Sequence, residues 1–479
     1  MPHPVCISFM ESNYQKLVHF WVGLAPKFFP FADAASEDLP LSRLLRLSLF
    51  QVSVGMALVL LVGTLNRVMI VELKVPASIV SIMLAIPLLF APFRALIGFK
   101  SDNHRSELGW RRVPYMWLGS MVQFGGLAIM PFALLVLAGA GQSASAPAWV
   151  GWGAAGIAFL LVGAGLHTIQ TVGLALANDL AAEESRPKVV GLMYVMLLVG
   201  MIVSSLIFGA LLSDFSPGAL IQVIQGSAVV TLVLNVIALW KQEPRSRLRR
   251  GKPAVDPSFN EAWSTLTRDA RALPTLMAIG MGTFAFSMQD ILLEPYGGEV
   301  LNMSVSATTL LSATLSVGGL AGFAWASKIL SQGADPYRMA FSGVLVGVPA
   351  LFLVIVSGYL NVEWLFSLGV LFIGFSGGLF SHGTLTSCMN FAPKDQSGLA
   401  LGAWGAIQAT AAGLAMAVGG TARDLIDWLW GKGLGYVIVY SFEVVLLGVT
   451  AFVLLPLLKS NEDKKFSIGG WNLFKRRSL

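Results

Sequence analysis

The sequence predicts an all-α polytopic membrane protein of twelve membrane-spanning helices, laid out as two pseudo-symmetric sets of six (6+6). Three observations predict it. Of the 479 residues, 55% are hydrophobic and only 12% charged, about half the charged fraction of a soluble domain, and the mean hydropathy is +0.72. Apolar runs of about 20 residues, the length that crosses a bilayer, recur along the whole chain. Lys and Arg gather in alternate loops, the pattern that sets the orientation of a membrane protein. The 50 glycines and 13 tryptophans agree with this class, because Gly is tolerated in packed membrane helices and Trp collects at the interface.

Taken in order, residues 1–44 form an N-terminal arm whose stretch 14–31 interleaves aromatics with Lys16, His19 and Lys27, suited to an interfacial helix or a docking segment. The acids Asp33, Glu37 and Asp38 precede the first long apolar run, which argues against a cleavable signal. Spans are expected near 45–66, 78–98, 113–138, 148–178, 189–213 and 219–240, a first six-helix bundle over 45–240. A polar, basic linker (241–272) interrupts. A second bundle over 273–458 follows, with spans near 273–293, 305–330, 337–359, 363–391, 398–422 and 433–458. A basic tail (459–479) closes the chain.

Twelve spans return the chain to the side on which it began. Lys100, Arg105, Arg111, Arg112, Arg186, Lys188, the cluster Arg245, Arg247, Arg249 and Arg250, and the C-terminal tail all fall on that side, whereas 139–147 holds no Lys or Arg. Both termini are therefore expected in the cytoplasm. The net charge of +6 belongs to these loops at the lipid surface and does not point to nucleic acid. Cys6 and Cys388 provide neither a disulfide framework nor a metal-ligand spacing. There is no phosphate-binding glycine loop and no nucleophile elbow, so no enzyme activity is expected.

The loop APFRALIGFKSDNHRSELGWRRVP (91–114) organises the first half. Gly98 permits close helix approach. Asp102 is placed to meet the N-terminus of a neighbouring helix, the one starting near Gly398, where unpartnered N–H groups favour an anion. Gly109, Arg111 and Arg112 close the loop and hold it at the membrane surface. The segment resembles the signature loop between helices 2 and 3 of major facilitator proteins. The second half has no clear copy of it, but Asn178 to Asp214 can be laid over Asn390 to Asp424. This weak echo suggests parallel six-helix repeats around a central cavity.

Ionisable residues within or near the membrane are functional candidates because burying them is costly. Arg67 near the end of helix 1 and Asp290 and Glu294 near the end of helix 7 are expected to form a latch, Arg67 pairing with one of the acids at the outer side. Glu72 lies just beyond. His167, Gln170 and Asn178 share a stripe of helix 4, and His382 lies on helix 10 with Gly374 and Gly378 one and two turns before it. A neutral imidazole can ligate the magnesium of a tetrapyrrole, and glycines one turn away leave room for a flat macrocycle. These four residues are the pigment-binding candidates. The Gly-rich faces of helices 8, 10 and 11 read as close helix packing.

The stretches LRLSLFQVSVGMALVLLVGTLNRVMIVEL (45–73), PLLFAPFRALIGFKSD (87–102), LGWRRVPYMW (108–117), ALANDLAAEESRPKVVGLMYVMLLVGM (175–201) and FSMQDILLEPYGGEVL (286–301) resemble the PucC/LhaA family, the bacteriochlorophyll-delivery branch of the major facilitator superfamily. The resemblance implies an assembly factor for light-harvesting antenna complexes, LH1 or LH2. Such a factor binds or delivers bacteriochlorophyll, antenna α/β polypeptides, or both, in the inner or intracytoplasmic membrane of a phototrophic bacterium. Bacteriochlorophyll is the implied, transient cofactor. The implied partners are the antenna polypeptides, reaction-centre assembly intermediates and membrane lipid. The alternative is an ion-coupled transporter of a small solute or pigment precursor. Against it stands the scarcity of acids near mid-membrane.

Overall fold

Proline, serine and aspartate at the loop exits start the helices, and apolar residues carry them across. The computed structural model describes residues 39–89, 97, 100–101, 109–139, 147–182, 185–243, 271–391 and 397–474. We number its twelve long helices α1 (Leu41–Glu72), α2 (Ala77–Leu89), α3 (Val113–Leu137), α4 (Ala148–Leu180), α5 (Arg186–Leu211), α6 (Pro217–Leu239), α7 (Ala272–Glu299), α8 (Val305–Ser331), α9 (Pro336–Leu360), α10 (Glu363–Phe391), α11 (Ser397–Trp430) and α12 (Leu434–Phe474). Ten of them are long and apolar enough to cross a membrane by themselves, and α2 and α11 complete the set. Residues 1–38 of the predicted N-terminal arm and most of the 241–272 linker lie outside the described residues, and α1 begins at Leu41, inside the predicted arm. Helix α12 continues through the predicted basic tail as far as Phe474.

Capping shows the local logic. Pro217 and Pro336 open α6 and α9, where a missing N–H costs nothing. Ser216, Ser304 and Asp335 accept from the backbone N–H of Ala219, Ala307 and Tyr337 at 3.1, 3.2 and 3.0 Å. At its other end α9 stops at Asn361, which takes the left-handed conformation (φ +54°) that Asn tolerates.

The packing is two-fold. In the first half α1 packs on α5 and α6, α3 on α4 and α6, and α2 on α4. The second half repeats each of these pairs six helices later: α7 on α11 and α12, α9 on α10 and α12, and α8 on α10. Two seams join the halves, α2 with α11 and α5 with α8, and these are also exchanged by the pseudo-two-fold. Small residues also draw helices tight within the second half. A Cβ on Gly374 would lie 2.0 Å from the Leu315 carbonyl oxygen, and one on Gly318 2.0 Å from that of Leu371, so α8 and α10 touch backbone to backbone.

Helix α1 is the most enclosed, 83% of its apolar window being buried against 33% for α12. On the outer helices Phe132, Leu206, Val445 and Phe452 are exposed, an apolar surface that only lipid would tolerate at this extent. Exposed aromatics ring it at both ends. Trp117, Trp240 and Trp325 stand at the face where α1 begins (the near face), and Trp149, Trp364 and Trp428 at the opposite, far face, as interfacial belts do.

Candidate functional site

Three polar layers are stacked along the bundle axis. At the near face, the Arg112 guanidinium is buried and donates to Asp179 of α4 through Nε and Nη2, each at 3.1 Å, and to Ser101 through Nη1 at 2.7 Å. Arg111 donates to the same Asp179 oxygen at 2.5 Å. Glu243, just beyond α6, accepts from the backbone N–H groups of Arg111, Arg112 and Val113 at 2.8, 3.0 and 2.9 Å. It thereby caps α3, whose first N–H groups have no partners of their own. Its neighbour Gln242 is bonded to Arg43 at the start of α1, through the Arg43 Nε at 3.1 Å and Nη2 at 2.7 Å. Arg111 and Arg112 of the predicted loop therefore sit at a junction that binds four helices together. Gly109 has φ +77°, a turn for which glycine is suited. Gly98 and Asp102 lie outside the described residues.

At the far face, Arg423 of α11 gathers acids from two helices. It pairs with Glu299 of α7, with Asp424 at 2.8 Å and with Asp427 at 3.5 Å, and its guanidinium lies 4.7 Å from the centre of the Tyr436 ring. The Tyr436 hydroxyl donates to Glu299 at 2.9 Å. Asp424 in turn accepts from the Ser78 N–H of α2 at 2.7 Å. Together these contacts tie α2, α7, α11 and α12 at one end. The other seam is held at the same end by Ser306, which donates to the Gly209 carbonyl at 2.6 Å.

Between these layers both central helices lose regular α-geometry. Helix α1 winds into π-helical turns over Val59–Leu65 and Val68–Glu72, and α7 breaks at a short 3₁₀ turn, Gln289–Ile291. Irregular central helices in corresponding positions mark the binding level in transporters built from repeats. The breaks are stitched to each other. Asn66 donates to the Ile291 carbonyl at 2.9 Å, Thr64 and Thr309 share a 3.3 Å hydrogen bond, and Arg67 Nη2 reaches the Met303 carbonyl at 3.3 Å.

The predicted Arg67 latch takes a different form. Arg67 makes its ion pair with Glu72 of its own helix, not with Asp290 or Glu294. The cause is the π-helical turn between them, whose wider winding brings residues five apart onto one face. Glu294 instead accepts from Ser312 at 2.7 Å, with Arg67 only within electrostatic reach, and Asp290 is bonded to Ser287.

Immediately on the near side of these breaks lies a cavity of about 430 Å³. Its walls come from α1, α5, α7, α8, α10 and α11, and are mostly Leu, Met, Gly and aromatic residues; Gln289, Asp290 and Glu294 form the polar pole. None of His382, His167, Gln170 and Asn178 is among its walls. His382 packs against Phe323, the ring centres 4.3 Å apart. The space expected at Gly374 and Gly378 is filled by the backbone of α8: a Cβ at Gly378 would be 2.5 Å from the Gly319 carbonyl oxygen. These glycines pack α10 against α8, and Gly374 and Gly378 are also among the residues that line the central cavity. His167, Gln170 and Asn178 are half-buried along α4, in the other half of the molecule from His382.

One acid escaped the sequence reading. Glu443 is fully buried in α12, about 14 Å along the helix from Leu434 and so near mid-membrane. It lies within electrostatic reach of Asp290 and of the Tyr440 hydroxyl. The signal was available, a lone Glu inside the apolar run VIVYSFEVVLLGV.

The fold and this central cavity define a polytopic membrane protein with the architecture of small-solute transporters. A mutant form of the nucleoside transporter NupG superposes with a TM-score of 0.65 at 12% identity, covering 86% of this chain and 99% of that one. A bacterial homologue of the iron transporter ferroportin gives 0.64 at 15%, covering 86% and 97%. Within that architecture the chain belongs to the family described as PUCC protein, whose family model matches residues 64–462. It is 57% identical to Protein PucC of Cereibacter sphaeroides over 93% of this chain and 98% of that one. It is 63% identical to Protein PucC of Rhodovulum sulfidophilum over 84% and 89%. It is also 27% identical to the bacteriochlorophyll synthase 44.5 kDa chain of Rhodobacter capsulatus over 86% and 94%.

Proposed function

We propose that this protein is an assembly factor for bacterial light-harvesting antenna complexes. It handles bacteriochlorophyll, the antenna α/β polypeptides, or both, within the inner membrane, and both its termini face the cytoplasm. The observation that carries this reading is family membership over most of the chain. A relative named for bacteriochlorophyll synthesis matches over nearly the same length and supports it. The basic near-face loops support the orientation.

The central cavity is small for a phytylated tetrapyrrole. Pockets for drug-sized ligands run from about 300 to 1,000 Å³, the central cavity is about 430 Å³, and the pigment is larger than most such ligands. We therefore assign the pigment and the single-span antenna helices to the lipid-facing flanks, where small residues and exposed aromatics offer contact. The test is a near-infrared spectrum of the protein purified in mild detergent, with antenna polypeptides sought in the same sample. Bacteriochlorophyll in fixed proportion is expected, and it should survive His382→Ala. A colourless protein without antenna polypeptides overturns the reading.

A second reading, a proton- or ion-coupled transporter, draws on one specific observation: Asp290, Glu294 and Glu443 put carboxylates at the level where the central helices break. Pigment-free protein that takes up a solute in liposomes would favour it.

A further inference from the structure

Besides Ser316, Ser381 and Gln408 elsewhere on its wall, the central cavity has a polar pole with an unbalanced set of hydrogen-bonding groups. Ser312 spends its proton on Glu294 Oε1, and Gln289 spends an amide proton on the Phe286 carbonyl at 3.1 Å. What remains at the polar pole is the amide oxygen of Gln289 and the second carboxyl oxygen of Glu294. Gln289 Oε1 and Glu294 Oε2 are buried, on side chains 3% and 4% exposed, and neither accepts a hydrogen bond from any described residue. Both residues line the cavity beside Asp290. A buried acceptor left unpaired costs about 1–3 kcal/mol, so such groups are normally satisfied by something.

The charges lean the same way. No Lys, Arg or His is among the described residues of the wall. The guanidinium that acts on Glu294 belongs to Arg67, which is already paired with Glu72. Asp290 and Glu294 therefore line the cavity with no cation on its described wall, and Glu443 stands within electrostatic reach of Asp290. The wall also carries the aromatic residues Tyr194, Phe286, Phe323 and Trp404, and aromatic faces attract cations.

The geometry points to a binding site for a small organic cation, an ammonium carried on an apolar or aromatic body, with its N–H donors on Gln289 and Glu294 and its body against the aromatic wall. The site lies inside the bundle and is separate from the lipid-facing flanks assigned to pigment. Its failure and that of the assembly reading are therefore read by different experiments.

The test uses the full chain in nanodiscs and isothermal titration calorimetry with three probes of one shape: 4-phenylbutylammonium, the alcohol 4-phenylbutanol and the carboxylate 4-phenylbutyrate. The ammonium should bind at least tenfold more tightly than the alcohol, and the carboxylate should not bind. Glu294→Gln should weaken the ammonium at least tenfold and leave the alcohol unchanged. Because Glu294 also holds Ser312, a second variant guards against misfolding. Gly377 lines the cavity and a Cβ there meets no atom within 4 Å, so Gly377→Leu should fill the space without disturbing the helices and abolish binding of both probes. Equal affinity for ammonium and alcohol, or ammonium binding that survives Gly377→Leu, overturns the proposal.

Discussion

The start of α3 and the start of α9 occupy equivalent places in the two halves, and they are held by opposite means. The α3 N-terminus is capped by Glu243, 130 residues away beyond α6, and flanked by Arg111 and Arg112 on Asp179 of α4. The α9 N-terminus is capped by Asp335, two residues away from the N–H it accepts. The first corner is a junction of charged groups that binds α1, α3, α4 and α6; the second is capped within its own segment and joined to α7 by a neutral hydrogen bond between Thr275 and the Tyr337 hydroxyl at 3.0 Å. A pseudo-symmetric fold does not need matching corners. Among the described residues, charged side chains lock the near-face ends of the first half to one another.

The comparison can be broken most sharply at Arg112. Its guanidinium is buried and makes three side-chain hydrogen bonds, two of them to Asp179, which would keep only Arg111, so Arg112→Ala should cost about 3 kcal/mol, the upper end for hydrogen bonds to a charged group. Unfolding in mixed dodecylmaltoside–SDS micelles, followed by far-ultraviolet circular dichroism, reads this directly. Glu243→Ala should cost about 2 kcal/mol in the same titration, since three N–H groups lose a charged acceptor. It should also couple with Arg43→Ala in a double-mutant cycle, because neighbouring Gln242 holds Arg43. Asp335→Ala should cost about 1 kcal/mol, as an ordinary N-cap does, with no coupling to substitutions on α10 or α12. Arg111→Ala should be smallest, about 0.5 kcal/mol, because this ion pair is open to solvent at both ends. If Asp335→Ala proves as damaging as Glu243→Ala, the two corners are equivalent after all and the asymmetry has no mechanical meaning.

Much of this was legible beforehand. Twelve apolar runs gave twelve helices, since crossing a bilayer leaves the backbone no alternative to helix. Arg111 and Arg112 stood out as charges between two apolar runs. Their partners did not. Nothing around Glu243 marks it as the cap of a helix 130 positions earlier, because the proximity is created by the packing of α3 on α6. The Arg67 pair was assigned to the wrong acids for a different reason. Regular α-helical spacing puts Arg67 and Glu72 on different faces, and only the π-helical turn aligns them. The glycines of α10 were read as packing residues and as pigment clearance, and the contact with α8 accounts for the packing. Sequence shows that a side chain is missing, and only the neighbouring helix shows what occupies the gap. Glu443 was simply visible and passed over.

The backbone-to-backbone contact of α8 and α10 has a mechanical consequence. Two helices pressed together through glycine cannot slide or part without opening a gap that no side chain is present to fill, so they behave as one plank. A motion that tilted α8 about the far end, where Ser306 is bonded to Gly209, would carry α10 with it. With 27 residues in α8 the lever is about 40 Å long. A tilt of about 5° would then carry its near-face end through about 3.5 Å, enough to admit or shut out a water molecule at the mouth of the cavity.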